Sequence, residues 1–341
     1  MKSVSIIIPN WNGADLLRAH LPSVVDAEKK YRGTIEVIVV DDASSDASLE
    51  ILQEEFPGIK AVVHPNNLGF GRACWSGAQT AQHSILIFLN SDVAVAPDFV
   101  EPLVNNLEDP AAFAASPLIF DDQNNLSNAT ISIPYFRRGK IRYQRFPTRH
   151  LLHKGPPLPN PWYTLFPSGA AFAVDRARFL ELQGFDDLFS PFYYEDTDLG
   201  FRAWRRGWKC IVAPESRVTH HHYSGTITRS FKQLKVRAIR KRNRLFFLWK
   251  NLTTARLLRQ HLLFQLLRVC YRPFCLDWMI LVATVLAIQG FNAAMQKRRA
   301  EQKFVVNSEE AIFQIIGSAN QANRRAIESI EHPGRDLKPE P

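Results

Sequence analysis

Val4–Gly13 reads VSIIIPNWNG and, one helical stretch later, Ile35–Asp42 reads IEVIVVDD. Each is a β-branched run with little polar alternation, too short for a helix and closed by polar turn residues, the pattern of a strand buried on both faces. Working outward, the same unit repeats. Helices are predicted from about Ala14, Ser45 and Phe70, and further strands at KAVVHP (60–65) and SILIFLN (84–90). Strand and helix in alternation predict an α/β fold: a Rossmann-like, mostly parallel sheet flanked by helices, with ligands at the C-terminal ends of its strands.

The polar residues at those ends are Pro9 to Asn12, Asp41 and Asp42, Pro65 to Gly71, and Asn90 to Asp92. Asn and Asp are ordinary turn and capping residues, and one of Asp41 and Asp42 is expected to cap the helix near Ser45. Their recurrence along one sheet edge predicts a site.

The 341 residues are 46% hydrophobic, enough for a sizeable core, and the net charge of +9 favours anionic partners. The four cysteines form no CxxC pair, which argues against a disulfide framework or a zinc site. The opening MKSVSIIIPNWNG has too short an apolar run for a secretory signal, so a reducing cytosolic setting is expected.

Residues 121–167 break the alternation. They are rich in Pro and Asn, and between Tyr135 and Asn160 carry seven Lys or Arg and no acid. A basic insertion or mobile loop over the sheet edge, rather than a core element, is expected. Regular structure resumes at FPSGAAFAVDRARFLELQGF, a small-residue strand and a helix. Between residues 216 and 276 there are fourteen Lys or Arg and no acid, interleaved with LFFLW and LLFQLL and followed by WMILVATVLAI. Basic helices with an apolar face predict association with a membrane surface. The longest apolar run, Trp278 to Ile288, is shorter than the ~20 residues that span a bilayer, so peripheral or monotopic attachment is expected. Nucleic acid is not expected as a partner, because no reader motif accompanies the charge.

Six stretches in order carry a resemblance: SIIIPNWNG, VIVVDDASSD, NNLGFGRACWSGAQTA, FLNSDV, PSGAAFAVDRARFLELQGFDDLFSPFYYEDTDLGFRAWRRGW and VAPESRVTHHHYSGT. Together they resemble the family 2 glycosyltransferases of GT-A fold, especially the rhamnosyltransferase-like branch. The resemblance covers roughly Ser3 to Thr228, and KRNRLFFLWKN after it is also typical of that branch. It implies a GT-A catalytic domain over residues 1–228, followed by a basic, apolar, helical membrane-association region over 229–300. Residues 301–341 form a tail, expected to be frayed.

The resemblance also implies roles. Asp92, in Asn90-Ser91-Asp92, corresponds to the last carboxylate of the family's DxD motif, which binds a divalent metal bridging the phosphates of a nucleotide-sugar donor; Asn90 departs from that motif and leaves one carboxylate fewer. His220 matches a downstream histidine that completes the metal or diphosphate site, and its imidazole favours Mn²⁺ over Mg²⁺. His222, two residues on, would share its face on a strand. Asp41 resembles the residue that accepts a hydrogen bond from the base, with Asp42 near the ribose or supporting the turn. Pro9 and Asn12 shape the first loop, and Asn67 with Gly69 lets the backbone approach the nucleotide.

Glu195, Asp196 and Asp198 crowd one helix start. Inverting transfer needs a carboxylate to take the acceptor's proton, and by resemblance Asp196 is that base. Glu195 is read as orienting the acceptor or the helix start, and Asp198, four residues before Arg202, as mainly structural. Phe192, Tyr193 and Tyr194 either wall an acceptor pocket or pack in the core. Arg205, Arg206 and the 137–154 stretch are either solvated or meet an acceptor pyrophosphate.

The expected activity is transfer of a sugar from a nucleotide-diphosphate donor, dTDP-rhamnose or a UDP-sugar, to a hydroxyl of a glycan. That glycan is expected to be lipid-linked, at the cytoplasmic face of the plasma membrane, in polysaccharide synthesis. A polyprenyl-phosphate glycosyltransferase and a non-catalytic membrane-binding protein with a degenerate core are the alternatives. A sugar-phosphate nucleotidyltransferase is disfavoured by the single Gly of PNWNGADLL.

Overall fold

The computed structural model describes residues 1–144, 146–221 and 231–331. Its centre is a sheet in the order β3 (Lys60–Val63), β2 (Ile35–Asp41), β1 (Val4–Asn10), β4 (Ile85–Leu89), β10 (Ala171–Asp175), β6 (Ala112–Phe120), β11 (Lys209–His220), β5 (Val93–Val95). β9 (Trp162–Thr164) also pairs with β11. β1 to β4 are mutually parallel, as the βαβ pattern predicts. The other half corrects the expectation of a mostly parallel sheet: β10 runs antiparallel to both β4 and β6, and β11 is parallel to β6 but antiparallel to β5 and β9. Short loops rather than crossover helices feed several of these strands, and an antiparallel pair needs no crossover.

β1 and β4 are almost wholly buried because helices cover both faces. The covering helices of the first half are α1 (Ala14–Lys30), α2 (Ser48–Glu54), α3 (Phe70–Thr80) and α4 (Val100–Asn106). α5 (Arg176–Glu181) follows β10, and α6 (Glu195–Arg205) carries the acidic cluster. α6 lies hard against the chain after β9: a Cβ on Gly200 would sit 2.4 Å from the Phe166 backbone, so only glycine allows this approach.

Residues 121–167 carry regular structure and contribute to the core, which corrects the expectation that they lie outside it. Among the described ones, β7 (Pro134–Arg137) and β8 (Lys140–Tyr143) form a hairpin, two 3-10 turns follow β6 and β8, and β9 joins the main sheet. Ile131, Ile133, Phe146, Leu151 and Trp162 are buried in the common core and anchor the segment. Single apolar anchors among prolines and arginines leave no periodic signal, which is why the sequence pattern misses them.

The C-terminal helices are α7 (Gln233–Asn251), α8 (Ala255–Tyr271), α9 (Met279–Gln289), α10 (Phe291–Gln302) and α11 (Glu309–Glu331). The end of α7 buries Leu245, Phe246, Phe247, Leu248 and Trp249 in the same core as the sheet, so no packing boundary separates it from the preceding residues. Of the expected tail, α11 is a docked helix that places Ile312, Ile316 and Ile327 in that core. No described helix is long and apolar enough to cross a membrane; α9 and α10 pass by length and composition only as a pair, bent by 62°. α8, α9 and the turn between them leave Leu266, Leu267, Phe274, Leu276, Trp278 and Ile288 exposed.

Candidate active site

The polar strand ends converge on one edge and are tied together. Asn12, at φ +50°, accepts from the Ser45 amide (2.8 Å) and donates its own amide to Ser44 Oγ (2.8 Å), joining the β1 and β2 loops. Asp41 is fully buried, accepting from Asn10 Nδ2 (3.2 Å) and the Ser44 amide (3.0 Å). Asp42 holds the β3–α3 loop: it accepts from the amides of Leu68 (2.8 Å) and Gly69 (2.7 Å), and its Oδ1 lies 2.7 Å from His64 Nδ1. The helix α2 begins at Ser48, and Asp46, not Asp41 or Asp42, accepts from the Ser48 amide at 3.1 Å. Pro9 pairs in register with Val40, while Asn67 is exposed on the loop that Asp42 fixes.

Asp92 and His220 come together through the sheet. β5 and β11 pair antiparallel with His220 opposite Val93, which carries the imidazole to the residue preceding β5. His220 Nε2 lies 3.2 Å from Asp92 Oδ1, and Asp92 is nearly buried. His221 donates its amide to the Asp92 carbonyl (2.9 Å), pairs with Asp122 and stacks on His20 at 4.6 Å. His222 falls outside the described residues.

The loop bearing Asn90, Ser91 and Asp92 is linked to the acidic helix by a short relay. The Asn90 amide donates to the Ala170 carbonyl (2.9 Å), and the amide of the adjacent Gly169 donates to Asp196 Oδ2 (3.3 Å). Asp196 Oδ1 accepts from the Thr197 amide (2.6 Å). Burial raises the Asp196 pKa above the ordinary carboxylate range against these hydrogen bonds. Burial and the Asp196 charge push Glu195 up to about 8, and its buried Oε2 has no hydrogen-bond partner among the described residues. Glu195 also lines a small cavity of about 30 Å³ with Gly69, Phe70, Asp187 and Pro191, so it faces the β3–α3 loop. Two adjacent, half-buried carboxyl groups resist carrying two charges at once, and one deprotonated member is a competent base.

The turn before α6 is strained: Tyr193 and Tyr194 stand at φ +71° and +80°, in the left-handed region. Fully buried Asn243, from α7, holds it there by donating Nδ2 to the carbonyls of Phe189 (2.6 Å), Phe192 (2.9 Å) and Tyr193 (2.9 Å). Arg240 lies over the Tyr193 ring at 4.2 Å, and Tyr194 packs on Phe247. Phe192 is a core residue, while its two neighbours are half-buried. Asn243 was not among the predicted residues; the signal for it is an amide amid the basic run KRNR just ahead of the apolar LFFLW.

Asp198 is structural, as its spacing to Arg202 predicts. It accepts from Arg202 Nε (2.7 Å), Lys250 Nζ (2.8 Å) and Asn251 Nδ2 (2.9 Å), all buried. Lys250 also reaches Asp186 at 2.7 Å, and despite opposing burial Lys250 and Arg202 hold that carboxyl below its usual range. Arg205 and Arg206 are neither solvated nor free for an acceptor. Arg205 is consumed by the Asn251 carbonyl (2.6 Å) and Glu309 (3.0 Å), and Arg206 by Glu301 (2.8 Å) and the Phe304 ring. Acids far along the chain, on α10 and α11, neutralise them.

A divalent cation fits Asp92 and His220. Asp92 Oδ1 is a buried carboxylate oxygen that meets His220 Nε2 at 3.2 Å without a well-formed hydrogen bond, and an imidazole so placed suits Mn²⁺ better than Mg²⁺. No group of three His, Cys, Asp or Glu that could hold a metal occurs among the described residues, so the remaining ligands would come from phosphate oxygens and water.

The sequence matches the family model "Glycosyl transferase family 2" over residues 5–158 and "Glycosyl transferase family group 2" over 85–297. A Caenorhabditis elegans protein described as probable N-acetylgalactosaminyltransferase 6 is 29% identical over 236 residues, 64% of this chain and 37% of its own. The chain therefore spans well under half of that relative. The N-acetylglucosaminyl-diphospho-decaprenol L-rhamnosyltransferase of Mycobacterium tuberculosis is 26% identical over 219 residues, 56% of this chain and 68% of its own. A mannosyltransferase of Pyrobaculum calidifontis, solved with GDP-Man and Mn2+, shares the fold with a TM-score of 0.52 and 16% identity, over 96% of this chain and 86% of its own.

Proposed function

This chain belongs to the family 2 glycosyltransferases, and from that premise we propose that it moves a sugar, with inversion, from a nucleotide-diphosphate donor to a glycan hydroxyl. The observation that carries the reading is the joining of two half-sites by one relay: Asp92 with His220 on one side, Asp196 on the other, linked through Asn90, Ala170 and Gly169. Pro9, Asn12, Asp41, Asp42, Asn67 and Gly69 line or fix the loops at the donor end. A divalent ion held by Asp92 and His220 would supply Lewis-acid neutralisation of the diphosphate leaving group.

In the reaction the acceptor oxygen forms a bond to the anomeric carbon as the bond from that carbon to the diphosphate oxygen breaks. Asp196 takes the acceptor's proton, and Glu195, protonated at neutral pH, keeps a second negative charge away from it. The mycobacterial relative's description supports rhamnose as the sugar moved and a lipid-diphosphate-linked glycan as acceptor; dTDP-rhamnose is the donor we propose. The exposed apolar side chains on α8 and α9, beside basic residues, support attachment to the cytoplasmic membrane surface, peripheral or monotopic.

Calorimetric titration of the protein and its Asp92→Ala variant with UDP, dTDP and GDP, with and without Mn²⁺, tests the reading. Mn²⁺-dependent binding of one nucleotide, lost in the variant, is expected. Folded protein that binds none of them would overturn the donor-site assignment.

A further inference from the structure

We propose that Lys140 and Arg142 of the β7–β8 hairpin, Arg244 of α7 and Arg268 of α8 form an anion site for the diphosphate that joins the acceptor glycan to its lipid. The inference rests on the lipid-linked acceptor read above and gives that acceptor a binding site.

The hairpin is fixed in place. His261 Nδ1 lies 2.8 Å from the Gly139 carbonyl, Arg268 donates to the Arg138 carbonyl, and a Cβ on Gly139 would meet the α8 backbone at 2.9 Å. Lys140 and Arg142, two apart on a strand, share a face. Burial, with the charges of Arg244, Arg268, Arg142 and Arg272, pulls Lys140 down to about 7, as expected where cations from four elements lie near one another.

Arg142 is exposed, but Lys140, Arg244 and Arg268 are half-buried, and like charges gathered this way repel one another unless an anion sits among them. Elsewhere in this molecule buried cations are matched: Arg202, Lys250 and Arg205 each have a carboxylate. Here Lys140, Arg142, Arg244 and Arg268 have none within ion-pair distance among the described residues. Arg244 Nε and Arg268 Nη1 are buried and make no hydrogen bond among them either. Two unsatisfied guanidinium donors and a half-buried lysine suit phosphate oxygens.

Position selects the anion. On one side, Arg244 lowers the pKa of the phenol of Tyr194, the residue before Glu195, against the rise that burial causes, and Tyr143 of β8 packs edge-on against Phe166, which Gly200 of α6 touches. On the other, α8 exposes Leu262, Leu263, Leu266 and Leu267. The order is base, cations, apolar surface. A lipid diphosphate acceptor has the matching order of hydroxyl, diphosphate and hydrocarbon.

The test uses the full chain, its Lys140→Gln/Arg244→Gln variant and Asp92→Ala, titrated with inorganic pyrophosphate and farnesyl diphosphate. Farnesyl diphosphate affinity is expected to fall about tenfold or more in the double variant and to persist in Asp92→Ala, whereas nucleotide affinity shows the reverse. Farnesyl diphosphate binding that is lost in the double variant and kept in Asp92→Ala, by a protein that binds no nucleotide, would remove the donor assignment and leave this site standing. Loss of farnesyl diphosphate binding in Asp92→Ala alone would overturn the proposal, because the donor end would then be taking the diphosphate. A second arm compares phosphatidylcholine vesicles containing farnesyl diphosphate with ones containing phosphatidylglycerol; equal binding, equally weakened by the variant, would reduce the cluster to a general acidic-lipid surface and overturn it. Removing unpaired cations should leave the thermal midpoint unchanged or raised, and Lys140→Arg, which keeps the charge, should bind as the parent does. Failure of Lys140→Arg to bind while folded would also sink the site.

Discussion

Asn243 Nδ2 lies 2.9 Å from the Tyr193 carbonyl, across fifty residues of sequence, and so couples α7 to the strained turn that presents Asp196. One side-chain amide shared among three carbonyls fixes a backbone that two left-handed tyrosines would otherwise relax. Asn243→Ala is expected to cost about 1–3 kcal/mol of stability, the penalty for unmade buried hydrogen bonds. Turnover in the folded fraction should fall while nucleotide affinity holds, because Asn243 Nδ2 bonds to the turn before α6 and, among the described residues, not to the donor loops; initial rates alongside calorimetry check this. Equal loss of both would place Asn243 in general stability only.

Asp196 and Asp198 are two residues apart and are expected to fail differently. Asp196→Asn should lower kcat by ~100- to 10,000-fold with folding and nucleotide binding retained, as for loss of a general base. Asp198→Asn strips the buried partner of Arg202 and Lys250 and should cost about 3–5 kcal/mol. Thermal melts and single-turnover rates on the two variants separate the roles, and an inactive but fully stable Asp198→Asn would contradict this assignment.

The proton on Glu195 makes stability depend on pH. Its folded-state pKa, raised to about 8, lies above its value in the unfolded chain, about 4.3, so the folded protein binds more protons between these values. Stability should therefore fall as pH rises through this window, and the fall should be complete above about pH 8. Asp196, also raised, adds in the same sense. Chemical denaturation midpoints across the range test it: Glu195→Gln should flatten the slope, and an unchanged slope would refute the assignment.

Phe274, Leu276 and Trp278 are 87%, 85% and 59% exposed at the turn between α8 and α9. Each would contribute roughly 1.5–3 kcal/mol if wholly buried in lipid. Replacing all three by Ser should abolish co-sedimentation with vesicles and leave the melting temperature unchanged. Undiminished sedimentation would exclude this turn as the membrane contact.

The parallel half of the sheet was legible because Val, Ile and Leu dominate β1, β2 and β4, with only Ser5 and Glu36 as polar breaks inside them, and polar residues mark their ends. Asp92 and His220 were found as a pair only through the family resemblance; the antiparallel register of β5 on β11 that joins them has no local signature. Arg205 and Arg206 were open to misreading for a similar reason. Their partners Glu309 and Glu301 lie about a hundred residues downstream, and charge neutralisation at that separation is invisible to a composition window. The basic hairpin was hidden among prolines, and Asn243 looked like one polar residue in a charged run.

The last described helix has a consequence for how molecules of this protein stay apart. Asn320 donates Nδ2 to the Tyr163 carbonyl (2.7 Å) and accepts from the Tyr163 amide (3.0 Å), and Asn323 does the same for Asn160. Two side-chain amides thus complete the pairing that a neighbouring strand would have supplied to β9. An open strand invites another copy to add on, and α11 closes that opening with a helix that cannot propagate a sheet. Quenching polymerisation is then a duty of the chain's far end, carried out by asparagines spaced three apart.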